Sequence, residues 1–238
     1  MKITIKRFHK EKTPQNIDHT LDINLENITL LDALENIKTK QDPSLTYSSG
    51  CRSGVCGSCG VRVNGKSTLA CTHKLKDGDI IEPLNNMPII KDLVVDHNIA
   101  LKTLQTSKSW QDKPSSIELS IEDEKQNELQ SDCILCGSCY SACPVFEVNK
   151  DFLGPFALTR IRKYTADLRD ENYKDKIDRV QINGVWDCTL CNECSLSCPS
   201  GISSKSDIEM LRIQSVKQGY SDPSFANFGG LDFGAPQF

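Results

Sequence analysis

Residues 3–8, ITIKRF, alternate apolar and polar positions, and residues 17–25, IDHTLDINL, do so again. The pattern predicts two strands of a hairpin, with 9–16 as its turn region. The period then lengthens. In LLDALENIKTK, Leu31, Leu34 and Ile37 share one helical side, Thr29 stands where an N-cap belongs, and Asp32 suits the first turn. VRVN from 61 and STLACT from 67 predict two strands around the Asn64-Gly65-Lys66 turn, and DGD leads into another strand at IIEPL. Strand, strand, helix, strands is a small α+β plan.

The stretch NNMPIIKDLVVDHNIALKTLQTSKSW keeps an apolar period that predicts an ordered connection, and we place the domain boundary near Ser107. Beyond it, SIEDEKQNELQSD is polar and helix-compatible. GPFALTRIRKYTADLRDENYKDKI carries Leu158, Ile161 and Tyr164 at helical spacing. SKSDIEMLRIQSVKQGY reads as a terminal helix with Ser206 as a cap, Glu209 three residues on and Gly219 as its stop. Residues 1–106 are therefore expected to form an α+β unit and 107–238 a helical one. From Gly219 the chain has no Lys or Arg but holds Tyr220, Phe225, Phe228, Phe233 and Phe238 among glycines. That composition suits a strip lying on a partner, packing on its own chain or remaining mobile.

Composition changes the picture through one residue type. Of 238 residues 12 are cysteine, and they stand in three tight groups rather than scattered as a disulfide framework usually is. The formal charge is −4, with Lys and Arg mixed among Asp and Glu, so no sustained basic field recommends a nucleic acid as ligand. No run of 18 or more apolar residues appears, and the N-terminus lacks the apolar core of a signal peptide. The expectation is a cytoplasmic chain in a reducing compartment, where clustered cysteines more often hold metal than form disulfides.

The first group is CRSGVCGSC, with Cys51, Cys56 and Cys59, joined after eleven intervening residues by Cys71. C-x4-C-x2-C with a remote fourth cysteine is the plant-type binuclear spacing, which predicts a [2Fe-2S] cluster. Gly54, Gly57 and Gly60 suit a backbone that turns closely about inorganic sulfur. Zinc is the alternative for four thiolates, although its sites usually arrive as two separated C-x2-C hooks. The second and third groups, CILCGSCYSACP at 133–144 and CTLCNECSLSCP at 188–199, are both C-x2-C-x2-C-x3-C-P. In that pattern three cysteines hold one cubane and the fourth crosses to the other. Cys133, Cys136, Cys139 and Cys198 are therefore expected to hold one [4Fe-4S] cluster, and Cys143, Cys188, Cys191 and Cys194 the second. Pro144 and Pro199 can turn the chain away from the last ligand of each group.

His9, His19, His73 and His97 are dispersed and read as surface or turn residues rather than ligands. No C-x-x-C-H haem signal or GxGxxG fingerprint occurs. With no catalytic residue to name, the residues describe a wire for single electrons between a two-electron site on one partner and an acceptor on another.

CRSGVCGSCG, the return segment around LACTHKLKDGD, IIKDLVVD, CILCGSCYSACP, DFLGPFALTRIRKY and CTLCNECSLSCP together resemble the iron–sulfur subunit of the succinate dehydrogenase and fumarate reductase family. The resemblance covers nearly the whole chain. It implies an N-terminal plant-type, β-grasp [2Fe-2S] ferredoxin domain and a C-terminal all-helical, two-cluster ferredoxin domain. It also implies an FAD-containing partner that interconverts succinate and fumarate, electron passage to or from a membrane quinone, and a peripheral place on the inner face of the cell membrane.

The resemblance departs from the family's usual pattern at the acceptor end. The familiar enzymes have a non-cysteine residue where Cys191 stands, which leaves a [3Fe-4S] centre; here a fourth thiolate predicts [4Fe-4S]. Thr189 replaces the usual histidine, and Glu147 and Val148 occupy a region where aromatic residues commonly help form the quinone pocket. This looks like the non-classical branch, in which a cysteine-rich CCG-domain subunit replaces the ordinary membrane anchor. A related flavoprotein partner acting on glycolate, lactate or a thiol/disulfide pair, and a standalone ferredoxin-like carrier, are the other readings.

Overall fold

The computed structural model describes residues 1–9, 12–21 and 28–226. Strands β1 (Lys2–His9) and β2 (Lys12–Thr20) form the expected hairpin, but the pairing runs further than the alternation suggests, from Lys2↔Thr20 to His9↔Lys12. Residues 12–16 are thus strand rather than turn. The reason is position in the sheet: β2 is an outer strand, where Pro14 removes no hydrogen bond that a neighbour needs. Pairing ends at Thr20, and residues 22–25 of the second expected strand lie outside the described residues.

Helix α1 (Leu30–Lys40) begins where its cap predicts, with the Thr29 hydroxyl accepting from the Asp32 amide at 3.2 Å. It buries Leu30, Leu31, Leu34 and Ile37. β3 (Gly60–Val63) and β4 (Lys66–Leu69) turn through Asn64 and Gly65, both at positive φ (51° and 82°), as a two-residue hairpin loop requires. β4 stops at Leu69, short of the run to Thr72, because 70–72 turn away from the sheet. β5 (Ile80–Glu82) then lies parallel to β1 and antiparallel to β3, which gives the five-stranded order β2-β1-β5-β3-β4. Ile3, Ile5, Val61, Val63 and Ile81 meet the apolar side of α1 in one core.

Asp79 locks the entry to β5. Its carboxylate accepts from the Asn64 amide group at 2.8 Å and the Lys76 backbone N–H at 2.9 Å, and it pairs with the His73 ring at 2.9 Å. Burial pushes this carboxyl up, but those partners outweigh it and hold it below the ordinary aspartate range. Asp79→Asn is expected to cost about 1.5–3 kcal/mol, read as a lower denaturation midpoint. A depressed folded pKa contributes stability above the unfolded value and loses it as pH falls through the folded value. The gap between wild type and variant should therefore be full at neutral pH and narrow in acid.

The predicted ordered connection contains β6 (Ile89–Lys91), β7 (Val94–Val95) and α2 (Asn98–Ser107). Its Met87, Val95 and Ala100 pack on the helical core, whereas its Leu93 joins the core of the sheet. Arg7 from β1 pairs with Asp92 at 2.8 Å and also with Asp42, which holds the β6–β7 turn against the sheet.

The remainder is helical, as expected. α3 (Ile121–Lys125) opens with a capping box between Ser120 and Asp123, and α4 (Glu128–Ser131) follows. Two short helices, α5 (Ser138–Ser141) and α6 (Pro144–Val148), precede the long α7 (Gly154–Ala166) and α8 (Tyr173–Arg179). α9 (Glu193–Leu196) leads into α10 (Ser204–Lys217), and α11 (Pro223–Ala226) closes the described chain. α10 starts ahead of Ser206, whose hydroxyl lies 2.8 Å from that of Ser203, so Ser206 sits in the first turn and is not the cap. Gly219 at φ 91° follows its end, as predicted. Phe156, Leu158, Ile161, Ile208 and Leu211 form the core between α7 and α10. Tyr220 donates to Asp178 at 2.8 Å; the Phe225 side chain and Phe228, Phe233 and Phe238 lie outside the described residues.

Candidate metal centres

The loop between α1 and β3 carries Cys51, Cys56 and Cys59, and the turn after β4 carries Cys71. Two backbone bonds join these pieces: the Ala70 N–H donates to the Cys59 carbonyl at 3.0 Å, and the Leu31 N–H at the start of α1 donates to the Ala70 carbonyl at 2.9 Å. The exposed Cys51 sulfur accepts from the Ser53 and Val55 backbone N–H groups, each at 3.4 Å, and the Cys56 sulfur accepts from the Cys51 N–H at 3.3 Å. Led by the Ser53 amide, these donors bring the Cys51 thiol down to about 6. Burial instead pushes the Cys59 thiol up to about 11, with Cys71 and Cys56 beside it. A bound metal centre reverses such a penalty, since its positive charge deprotonates the thiols that hold it.

The other eight cysteines fall into two hollows. Cys133, Cys136, Cys139 and Cys198 line one, walled by Ile134, Leu135, Phe156 and Ile202. Cys143, Cys188, Cys191 and Cys194 line the other, walled by Val145, Phe152, Leu190 and Ile208. The fourth cysteine of each sequence group has crossed to the opposite hollow. Burial raises the thiols of Cys133, Cys136, Cys139, Cys143, Cys188 and Cys194, and Cys194 reaches about 11. The donor sets suit iron–sulfur clusters: four thiolates each, apolar walls, and backbone N–H groups on sulfur, with Phe146 on Cys143 and Leu190 on Cys188 at 3.4 Å. Among the described residues no three His, Cys, Asp or Glu groups converge as they would about a single ion; eight of the sulfurs line the two hollows instead.

His19, His73 and His97 stay outside all three quartets. His73 is held by Asp79, and His97 packs near Gly137, where burial keeps its pKa down. His19 departs from the surface expectation: it is buried, its ring against the Gln41 amide oxygen at 3.3 Å beside the end of α1. The His9 side chain lies outside the described residues.

Gly57 and Gly60 have a purpose beyond the one their spacing suggests. A Cβ on Gly57 would stand 2.6 Å from the Ile134 carbonyl oxygen and 2.9 Å from Cys136 Cβ, and one on Gly60 would stand 3.1 Å from the Cys136 carbonyl oxygen. Both residues bring the first cysteine loop against the second. Around this contact, Ser141 accepts from the Ser67 hydroxyl at 2.9 Å and the Asn85 N–H at 3.0 Å, and Asn86 donates to the carbonyls of Tyr140 and Cys143. Sequence reasoning did not find Ser141 or Asn86. Their signal is long-range pairing, which neither period nor motif contains.

A sheet-based binuclear site docked on a helical pair of four-cysteine hollows defines an iron–sulfur protein assembled from two ferredoxin units. Residues 2–102 match the 2Fe-2S iron-sulfur cluster binding domain, and residues 129–202 match the 4Fe-4S dicluster domain. The fumarate reductase iron-sulfur subunit of Haemophilus influenzae is 38% identical over 239 residues, covering 91% of this chain and 93% of that one. The 8-methylmenaquinol:fumarate reductase iron-sulfur subunit of Wolinella succinogenes is 36% identical over 92% of this chain and 74% of that one. A chain of the Mycobacterium smegmatis Sdh1 complex in the apo form shares the fold at TM-score 0.83 and 21% identity, covering 92% of this chain and 97% of that one. The chain belongs to the family of iron–sulfur subunits of succinate dehydrogenase and fumarate reductase.

Proposed function

We propose that this chain is the electron-transfer subunit of a succinate dehydrogenase/fumarate reductase complex, relaying single electrons between an FAD-containing subunit and a membrane-associated partner. The observation that carries the reading is the gathering of the twelve cysteines into three quartets, the first of which abuts the second across Gly57 and Gly60. Cys51, Cys56, Cys59 and Cys71 would hold a [2Fe-2S] cluster. Cys133, Cys136, Cys139 and Cys198 would hold one [4Fe-4S] cluster, and Cys143, Cys188, Cys191 and Cys194 the other. Such centres exchange electrons one at a time when bound.

The chain's own residues supply spacing, shielding and contact. The first unit, 1–106, carries the exposed Cys51 and Cys56, which suits it to face the flavoprotein, where the dicarboxylate site belongs. The second, 107–238, carries the exposed Cys191 at its far quartet, which suits a CCG-domain or membrane anchor subunit and, through it, the quinone pool. No helix among the described residues is long and apolar enough to cross a membrane, so attachment to the inner face would come through those partners.

Anaerobic purification from the source cell's membranes, with partners identified by mass spectrometry, tests the reading. A complex with an FAD subunit that reduces dye with succinate or oxidises donor with fumarate is the expected result. Recovery with a different flavoprotein and no activity on either dicarboxylate would move the chain to another substrate, and purification as a competent monomer would make it a free carrier.

A further inference from the structure

The two cubane hollows share one backbone plan that goes beyond cysteine spacing. Leu135 and Leu190 both stand at left-handed φ (56° and 55°), and Gly137 and Asn192 repeat that region (79° and 71°) just ahead of α5 and α9. Each repeat then feeds a long helix, and each of these helices sets one guanidinium within electrostatic reach of the first cysteine of its own repeat. Arg212 of α10 donates to the Cys188 carbonyl itself, and Arg160 of α7 follows directly on Thr159, which lines the Cys133 hollow, so each charge bears on the first cysteine of its repeat.

Among the described residues Arg212 hydrogen-bonds to neutral groups alone, and Asp222, a carboxylate that feels its charge, forms no ion pair with it. The Arg212 Nε donates to the Val185 carbonyl at 2.8 Å, its Nη2 donates to the Cys188 carbonyl at 2.6 Å and more weakly to that of Trp186 at 3.4 Å, and the guanidinium carbon lies 5.5 Å from the Trp186 ring centre. Arg160 leans on Tyr164, 5.9 Å from its ring, and its Nε is buried without a partner. Among the described residues no ion pair involves either arginine. Carbonyl dipoles orient a guanidinium without cancelling its charge, and arginine stays protonated at any physiological pH.

We infer that Arg212 raises the reduction potential of the centre held by Cys143, Cys188, Cys191 and Cys194, and that Arg160 does the same for its repeat counterpart. Reduction adds one negative charge to a site that already gathers four thiolates. A fixed positive charge in a half-buried, apolar surrounding favours that reduced state, and net charge is a main determinant of such potentials. This rests on the reading of the cysteines as three clusters. It gives the fourth thiolate at Cys191 a compensating partner, so a cubane at the acceptor end need not be too reducing to pass electrons onward.

The test is a redox titration followed by electron paramagnetic resonance on the anaerobic complex, with the binuclear centre as internal reference. Arg212→Gln is expected to lower the equilibrium constant for reduction of the distal centre about tenfold, equivalent to about 59 mV for a one-electron couple. Arg212→Lys should retain most of the wild-type value. Arg160→Gln should shift the other cubane and spare the distal one, which keeps the inference testable if Arg212→Gln fails to assemble. Unchanged potentials in the glutamine variants would overturn it. So would a lysine variant as low as the glutamine one, which would assign Arg212 to holding the loop rather than to its charge. A wild-type complex with fewer than three reducible centres would instead sink the underlying reading of the cysteines, and this inference with it.

Discussion

Gly57→Ala is expected to loosen the two halves of the protein from each other while leaving each half folded. Gly57 sits at φ 72°, where an L side chain costs about 1–2 kcal/mol. Its added methyl would meet the Ile134 carbonyl oxygen and the Cys136 backbone, which are main-chain atoms and cannot swing aside. Overpacking of that kind costs about 1–3 kcal/mol more, and here it falls on the seam between the first and second cysteine loops. Gly78 supplies the control, since it has φ 82° with no atom within 4 Å of its would-be Cβ, so Gly78→Ala bears the backbone strain alone. Hydrogen exchange at Ile134, Cys136, Asn85 and Asn86 should accelerate in the Gly57 variant and not in the Gly78 variant. Equal behaviour of the two would show that Gly57 matters only as a turn.

Iron removal is expected to have the larger structural effect, and an uneven one. In the helical half α3, α4, α5, α6 and α9 are four or five residues long, far below the length at which a helix persists by itself. Cys143 belongs to the core there, with Cys133, Cys139 and Cys188 packed against it. Bonds from those sulfurs to a bound centre would thus stand in for apolar contacts that short helices cannot make. Metal binding to structural sites contributes about 10 kcal/mol or more, comparable with a domain's whole net stability of about 5–15 kcal/mol. Anaerobic chelation should therefore abolish hydrogen-exchange protection across 129–202. The sheet keeps a core of its own in Ile3, Ile5, Leu30, Leu34, Ile37 and Ile81, and should retain protection. A helical half that stays protected without iron would count against this account.

How far the molecule is legible in its residues varies with the range of the interaction. Thr29 and Asp32 announce the start of α1 because a cap is settled within four residues, and Asn64-Gly65 announces its hairpin for the same reason. The two-cluster cysteine pattern anticipates even the crossing of Cys143 and Cys198 between the hollows, because in that pattern the fourth cysteine of each run belongs to the other site. The extent of β2 is less legible, because Pro14 reads as a breaker until its strand is known to be outermost. Arg160 and Arg212 follow their cysteines at different intervals, 27 residues after Cys133 and 24 after Cys188, so no fixed motif flags them. The purpose of Gly57 is written in residues 134–136, far along the chain, and a tight loop would call for glycine in any case.

The exchange of cysteines between the two hollows also bears on how the protein is made. Cys133, Cys136 and Cys139 leave the ribosome early, but their hollow is not closed until Cys198 has been synthesised; the second hollow, with Cys143 long since waiting, closes at Cys194. Both sites thus become complete at almost the same moment of translation. A cell must keep four thiols guarded through that interval, and a chain cut short just before Cys194 would forfeit both sites rather than one.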